Sequence, residues 1–198
     1  MLSGKNISYA RGVSSLFNDI SFTLKKEQMI IVRGKNGSGK STLLRLLAGL
    51  IRPQPQMLFW KEEEITSNNL STYQQNLLYF GHRLALHPEA LVKDQMRLWQ
   101  DIYGISEKVI GEALEIWDVS RLISQKIAHL SQGQQKRLSL SRCSWLDRPL
   151  WILDEPQAGL DQEGRVALTK ILQEHLKRGG MVIQATHEED TAPDGIWL

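Results

Sequence analysis

Gly34-Lys35-Asn36-Gly37-Ser38-Gly39-Lys40-Ser41-Thr42 decides the reading of this chain. The stretch matches G-x-x-x-x-G-K-[ST] without a gap. It follows the strand-like run Met29-Ile30-Ile31-Val32 and precedes the helical pattern Leu43, Leu44, Leu46, Leu47, Leu50. Strand, loop and helix in that order distinguish a P-loop from a chance glycine-rich surface loop. Glycines let backbone N–H groups turn inward around phosphates, and the helix start adds unpaired donors and the positive end of its dipole. Lys40 supplies a mobile positive charge for the β- and γ-phosphates, and the Ser41 hydroxyl is placed to ligand Mg²⁺. The stretch implies a nucleoside triphosphate site, ATP with Mg²⁺, held by residues Gly34 through Thr42.

A second element lies far downstream. Leu150-Trp151-Ile152-Leu153 is an apolar strand ending in Asp154 and Glu155. Ligands of open α/β sheets sit at the carboxyl ends of strands, so both acids are expected at the nucleotide. Asp154 suits a role in orienting Mg²⁺ and its waters. Glu155, one residue on and aimed to the opposite side, suits polarising an attacking water.

Composition narrows the class. At 198 residues the chain is one domain's worth, and 41% hydrophobic with 23% charged residues is ordinary for a soluble globular protein. A net charge of +2, without a run of Lys or Arg, argues against a nucleic-acid partner. Cys143 is the single cysteine, which excludes an internal disulfide and a Cys-rich metal site and fits a reducing cytosol. No apolar run approaches the ~20 residues that span a bilayer, and the N-terminus lacks the layout of a signal peptide. Work at a membrane would need other subunits to supply the spanning helices.

Strand-like runs occur at Asn6–Tyr9, Ile20–Leu24, Gln28–Val32, Met57–Trp60, Leu77–Phe80, Leu150–Leu153 and Met181–Ala185. Helical periodicity marks two segments between about Pro88 and Ala128, divided at Gly104, then a helix beyond Ser131 and another over about Gln162–Lys177. Helices gathered in the middle of a β/α chain suggest a helical subdomain inserted into a P-loop core.

Leu130-Ser131-Gln132-Gly133-Gln134-Gln135-Lys136-Arg137-Leu138 resembles the L-S-G-G-Q signature of ATP-binding cassette (ABC) ATPases. An amphipathic pattern (Leu138, Ser141, Arg142, Trp145) follows, and Asp154 comes 23 residues after Ser131, as in that family. Ser131 and the Gly133 backbone at a helix start make a second anion site, and Ser131 also reads as an N-cap. Two phosphate sites that cannot both touch one nucleotide imply a sandwich, in which the signature of one copy closes on the ATP held by the other. Gln132 departs from the usual glycine, and Gln134 ends the motif.

Ala158-Gly159-Leu160-Asp161 resembles the family's D-loop, whose Asp161 would reach across the dimer. His187, after Met181–Ala185 and Thr186, resembles the switch histidine at the γ-phosphate. The resemblance covers essentially the whole chain. It implies an α/β fold: a P-loop NTPase core of ABC ATPase type with an antiparallel β subdomain, residues 1–198 forming a single domain and about 84–130 an inserted helical subdomain. It also implies catalytic roles for Lys40, Glu155 and His187, nucleotide contacts from Ser131, Gln132, Gly133, Gln134 and Asp161, and metal ligation by Ser41 and Asp154.

Tyr73-Gln74-Gln75-Asn76-Leu77-Leu78-Tyr79-Phe80-Gly81-His82 is more specific. With Thr42–Leu50 and Leu150–Pro156 it resembles the ATP-binding subunits of the bacterial cytochrome c maturation system, which are likewise short. The position after His82 should hold the Q-loop glutamine but is Arg83, and a guanidinium has no lone pair for a metal. Its reach suits a phosphate contact or a carboxylate on a partner or on the helical subdomain. For stacking on adenine, Tyr9 is the nearest aromatic, but spacing puts Arg11 closer to the place.

The resemblance implies a peripheral subunit on the cytoplasmic face of the bacterial inner membrane. Its partners would be transmembrane subunits, haem-handling membrane proteins and, when ATP is bound, a second copy. ATP hydrolysis would serve haem export or release of haem from its membrane chaperone. Two alternatives are an ATPase of another small exporter and a soluble nucleotide-gated module acting on nucleic acid or ribosomes. Without basic extensions or a second cassette, the latter is disfavoured.

Overall fold

A computed structural model describes residues 1–12, 14–187 and 195–198. Two sheets dominate a first unit made of residues 1–81, 148–156 and 174–198. Along the chain it carries β1 (Leu2–Arg11), β2 (Ser14–Leu24), β3 (Met29–Arg33), α1 (Lys40–Leu47), β4 (Leu58–Trp60), β5 (Glu63–Glu64), α2 (Leu70–Gln74), β6 (Leu77–Phe80), β7 (Leu150–Asp154), β8 (Met181–Ala185) and β9 (Gly195–Trp197). One sheet is antiparallel, in the order β2-β1-β4-β5, and the other runs β6-β7-β8-β3-β9 with parallel pairings. The α/β class with an antiparallel sheet, expected from the sequence, is the observed one.

Every residue of β7 and β8 is buried, which is why both read as continuous apolar runs instead of alternating ones. Helix α1 packs on these strands through Leu43, Leu44, Leu46 and Leu47, all at most 2% exposed. It stops at Gly49, whose φ of 69° suits glycine, so Leu50 lies beyond the helix and is 56% exposed although it continues the sequence period. On β7, Trp151 stacks flat on His175, ring centroids 3.7 Å apart.

The second unit comprises residues 82–147 and 157–173. It holds α3 (Val92–Tyr103), α4 (Glu107–Ile116), α5 (Gln132–Leu140), α6 (Arg142–Trp145) and most of α7 (Gln162–Lys177). Gly104 in the left-handed region ends α3, and the Ser106 side chain caps α4. Aromatic contacts fill its interior: Trp145 meets Trp99 and Tyr103, and the Trp117 Nε1–H donates to Ser144 Oγ at 3.0 Å.

Two differences from the sequence reading have local causes. The amphipathic pattern from Leu138 to Trp145 is not one helix. Ser141 Oγ donates back to Leu138 O at 2.7 Å, and α5 gives way there to the separate turn α6. Strand β1 begins at Leu2, well before Asn6, because Leu2, Ser3 and Gly4 are paired on both sides, by β2 and β4.

Leu44→Ala removes a fully buried side chain from α1 and is expected to cost about 2–5 kcal/mol in chemical denaturation. Leu50→Ala, in the exposed position beyond the helix, should stay within about 0.5 kcal/mol.

Candidate nucleotide-binding site

Strands β3, β8 and β7 end level, because Ala185 is opposite both Val32 and Asp154. The ladder continues one step further: Thr186 N donates to Val32 O at 3.1 Å and Glu155 N donates to Ala185 O at 3.2 Å. The loop of residues 34–39, Glu155 and His187 therefore leave the sheet at one end.

Within that loop Gly39 adopts φ 105°, and a Cβ there would lie 3.1 Å from a Phe17 ring carbon. Glycine is thus required both by conformation and by the approach of β2. Lys35, Asn36, Gly37 and Ser41 are exposed, while Gly34, Ser38 and Thr42 are half-buried. Lys40 is not. Its Nζ donates to Gly34 O at 2.7 Å and Lys35 O at 3.3 Å and lies 3.8 Å from Glu155 Oε1, with the side chain 6% exposed.

Glu155 bridges two sequence-predicted residues, since its Oε2 is also 3.6 Å from His187 Nδ1. It holds this place at φ 47°, a left-handed conformation that a non-glycine residue adopts at a cost of about 1–3 kcal/mol. Asp154 beside it is buried, and its Oδ2 finds no hydrogen-bond donor among the described residues. A buried carboxylate oxygen with no protein donor, in the same unit as the hydroxyl of Ser41, is a donor set that fits a hard divalent cation.

Arg11 is exposed at the last pair of the β1–β2 ladder, opposite Ser14. Two positions back, Tyr9 faces Phe17 with ring centroids 6.1 Å apart. Tyr9 is thus packed on Phe17, the side chain against Gly39, while the exposed guanidinium belongs to Arg11.

In the second unit Ser131 caps α5 in a reciprocal capping box: Gln134 N donates to Ser131 Oγ at 3.2 Å, and Ser131 N donates to Gln134 Oε1 at 2.9 Å. The first-turn N–H groups of Gln132 and Gly133 have no acceptor within the helix by geometry, so they remain available to an anion. Asp161 is engaged inside its own unit. Its Oδ1 accepts from Arg137 and from Gly164 N, the latter at 2.9 Å. Arg83 is exposed, and the next carbonyl, Leu84 O, accepts from Ser139 Oγ at 2.6 Å.

The family model described as ABC transporter matches residues 17–158. The chain belongs to the ABC transporter family. Its curated relatives include the protein named cytochrome c biogenesis ATP-binding export protein CcmA in Brucella abortus, 36% identical over 94% of this chain and 85% of that one. The protein of the same name in Haemophilus influenzae is 38% identical over 95% of this chain and 89% of its own length. Among solved structures, the dimeric ABC transporter cassette MJ0796 superposes with a TM-score of 0.83 at 21% identity, covering all of this chain and 94% of that one. As an ABC ATPase domain this chain binds ATP and hydrolyses it as a transporter subunit. Among the described residues no helix is long and apolar enough to cross a membrane.

Residue-by-residue reading of the ABC motifs misses Lys136 and Arg137, whose contacts span more than 20 positions of sequence. The available signal was a basic pair inside an otherwise uncharged helix start. Arg137 and the Gly164 N–H hold the Asp161 carboxyl below the ordinary value of 3.8. A carboxyl lowered on folding contributes stability that is complete above its unfolded value and is lost as pH falls through the folded one. Carboxyl-resolved NMR titration should find Asp161 titrating below 3.8, and Arg137→Gln should move that midpoint upward.

Proposed function

We propose that this chain is the ATP-hydrolysing subunit of a membrane complex for cytochrome c maturation. In this reading, ATP hydrolysis drives haem export or release of haem from its membrane chaperone. Carrying the reading is the match to CcmA proteins at 36–38% identity over nearly the whole chain. The partners are transmembrane subunits, haem-handling membrane proteins and a second copy of the chain. The subunit lies on the cytoplasmic face of the inner membrane, and residues 84–130 form the helical subdomain that meets the transmembrane partners.

Chemistry follows from the residues of the first unit. Lys40 exchanges the carbonyls of Gly34 and Lys35 for the β- and γ-phosphate oxygens, and the backbone N–H groups of residues 34–42 surround the phosphates. Ser41 and Asp154 would hold Mg²⁺, which supplies neutralisation of the phosphate charge when bound. Glu155 accepts a proton from water as the water oxygen bonds to the γ-phosphorus. The bond to the bridging oxygen of ADP breaks, and phosphate and ADP leave. His187, 3.6 Å from Glu155, orients that carboxylate and contacts the γ-phosphate. Arg11 stacks on the adenine. The Ser131 hydroxyl and the N–H groups at the start of α5, with Gln132 and Gln134 alongside, close on the γ-phosphate held by the second copy.

Glu155→Gln is expected to abolish steady-state hydrolysis while ATP binding persists, because it removes the proton acceptor and spares the phosphate cradle. Lys40→Ala should weaken ATP binding itself. In the Glu155→Gln protein, ATP with Mg²⁺ should shift sedimentation from monomer to dimer. Hydrolysis within a few-fold of wild type in Glu155→Gln would remove Glu155 from the role of base.

Deletion of the gene should eliminate c-type cytochromes, detected by haem staining. Intact c-type cytochromes with loss of another export activity would instead support the small-exporter reading. Arg83→Ala should leave the ATPase rate of the isolated subunit within a few-fold yet impair cytochrome c maturation, since Arg83 cannot ligate the metal but can reach a partner carboxylate. Equal loss of both activities would move Arg83 into the catalytic shell.

A further inference from the structure

Like Arg142, Arg137 is a buried cation of the second unit. Its side chain is 8% exposed and faces three carboxylates: Asp161, Glu163 at 3.5 Å and Asp118 at 3.8 Å. Its Nη1 also donates to Trp117 O at 3.4 Å. One position earlier, Lys136 Nζ donates to Ala158 O at 2.6 Å. A turn before that, a Cβ added to Gly133 would lie 3.4 Å from Gly159 O. Gly133, Lys136 and Arg137 stand at i, i+3 and i+4, one face of α5. That face therefore lies along residues 158–161 with room for no more than ordinary contact at Gly133, and is fastened there by an ammonium–carbonyl bond and a guanidinium–carboxylate pair.

Asp161 is tied at both ends of this arrangement. One oxygen receives Arg137 from α5 and the N–H of Gly164 from the first turn of α7. Arg165 Nε donates to Leu160 O at 3.3 Å, which fixes the residue before it. The carboxylates around Arg137 are themselves exposed, so each pair alone would be weak. Convergence of all of them on one buried fork is what makes the join stiff.

We infer that Lys136 and Arg137 are positioning residues that join the Ser131 helix start and the 158–161 segment into one preassembled face, which closes as a unit on the nucleotide of a second copy. The inference rests on the sandwich reading given under the proposed function. Preassembly spares the ordering of a loop at the moment two copies associate, and so favours the closed state without adding a contact to the nucleotide. Asp161 then acts within its own copy, through Arg137.

A double-mutant cycle on the full chain tests this. Arg137→Gln, Asp161→Asn and the double variant are each built on Glu155→Gln. ATP-driven dimerisation is followed by sedimentation and nucleotide affinity by a fluorescent ATP analogue. Each single variant should weaken the dimer roughly three- to tenfold, and Arg137→Gln should leave analogue affinity unchanged within about twofold. The double variant should be no weaker than the poorer single, since both remove the same join. A double defect equal to the product of the singles, or dimerisation unaffected by either single, would overturn the inference while leaving the sandwich intact. Failure of the Glu155→Gln parent to dimerise would overturn the sandwich and the inference with it. Should Arg137→Gln not fold, Lys136→Met with Asp161→Asn runs the same cycle through the Ala158 bond and is judged by the same outcomes.

Discussion

The level ending of three parallel strands is the constraint on which the first unit depends. With Ala185 opposite both Val32 and Asp154, the ends of β3, β8 and β7 share one edge. A slip of one residue in either pairing would turn the affected side chains to the other face of the sheet. It would also part Glu155 from Lys40 and His187, which now lie 3.8 and 3.6 Å from its two oxygens. The complete burial of β7 and β8 protects this register, because any shift would leave apolar side chains without their partners.

Glu155 concentrates the demands of the site. It follows the last residue of β7, donates its own N–H to Ala185 O, and leaves the strand in a left-handed turn. That conformation aims its carboxylate away from the buried side taken by Asp154. Two adjacent acids thereby occupy different environments, one buried with its Oδ2 lacking a donor among the described residues and one half-exposed between a lysine and a histidine. Sequence neighbours with such unlike surroundings can serve unlike roles.

Much of this was legible in the sequence because it is local. The P-loop turns on glycines and a strand–loop–helix context within about 20 residues, Glu155 is adjacent to an all-apolar strand, and Ser131 is the N-cap it reads as. The helix Gln162–Lys177 and the strand Met181–Ala185 stand where periodicity put them. Strand β9 was not legible: three residues carry no readable period, and its place beside β3 comes from pairing across the whole chain. The ties of Lys136 and Arg137 escaped for a related reason. A basic residue on a helix has no sequence mark that tells a solvated charge from one enclosed by distant carboxylates. Leu50 erred in the other direction, since the period ran on past a helix that Gly49 had already ended.

The enclosure of Lys40 has a consequence for how the loop meets its ligand. Its ammonium already donates to two main-chain oxygens and lies near a carboxylate, with only 6% of the side chain open to solvent. Solution anions have little room to condense there. An arriving phosphate therefore displaces protein oxygens and not counterions, and its gain on Lys40 is an exchange between acceptors. Ionic strength acts on charges that water reaches, such as the neighbouring exposed Lys35. Of these two lysines of the loop, Lys40 is thus the one whose attraction salt screens least.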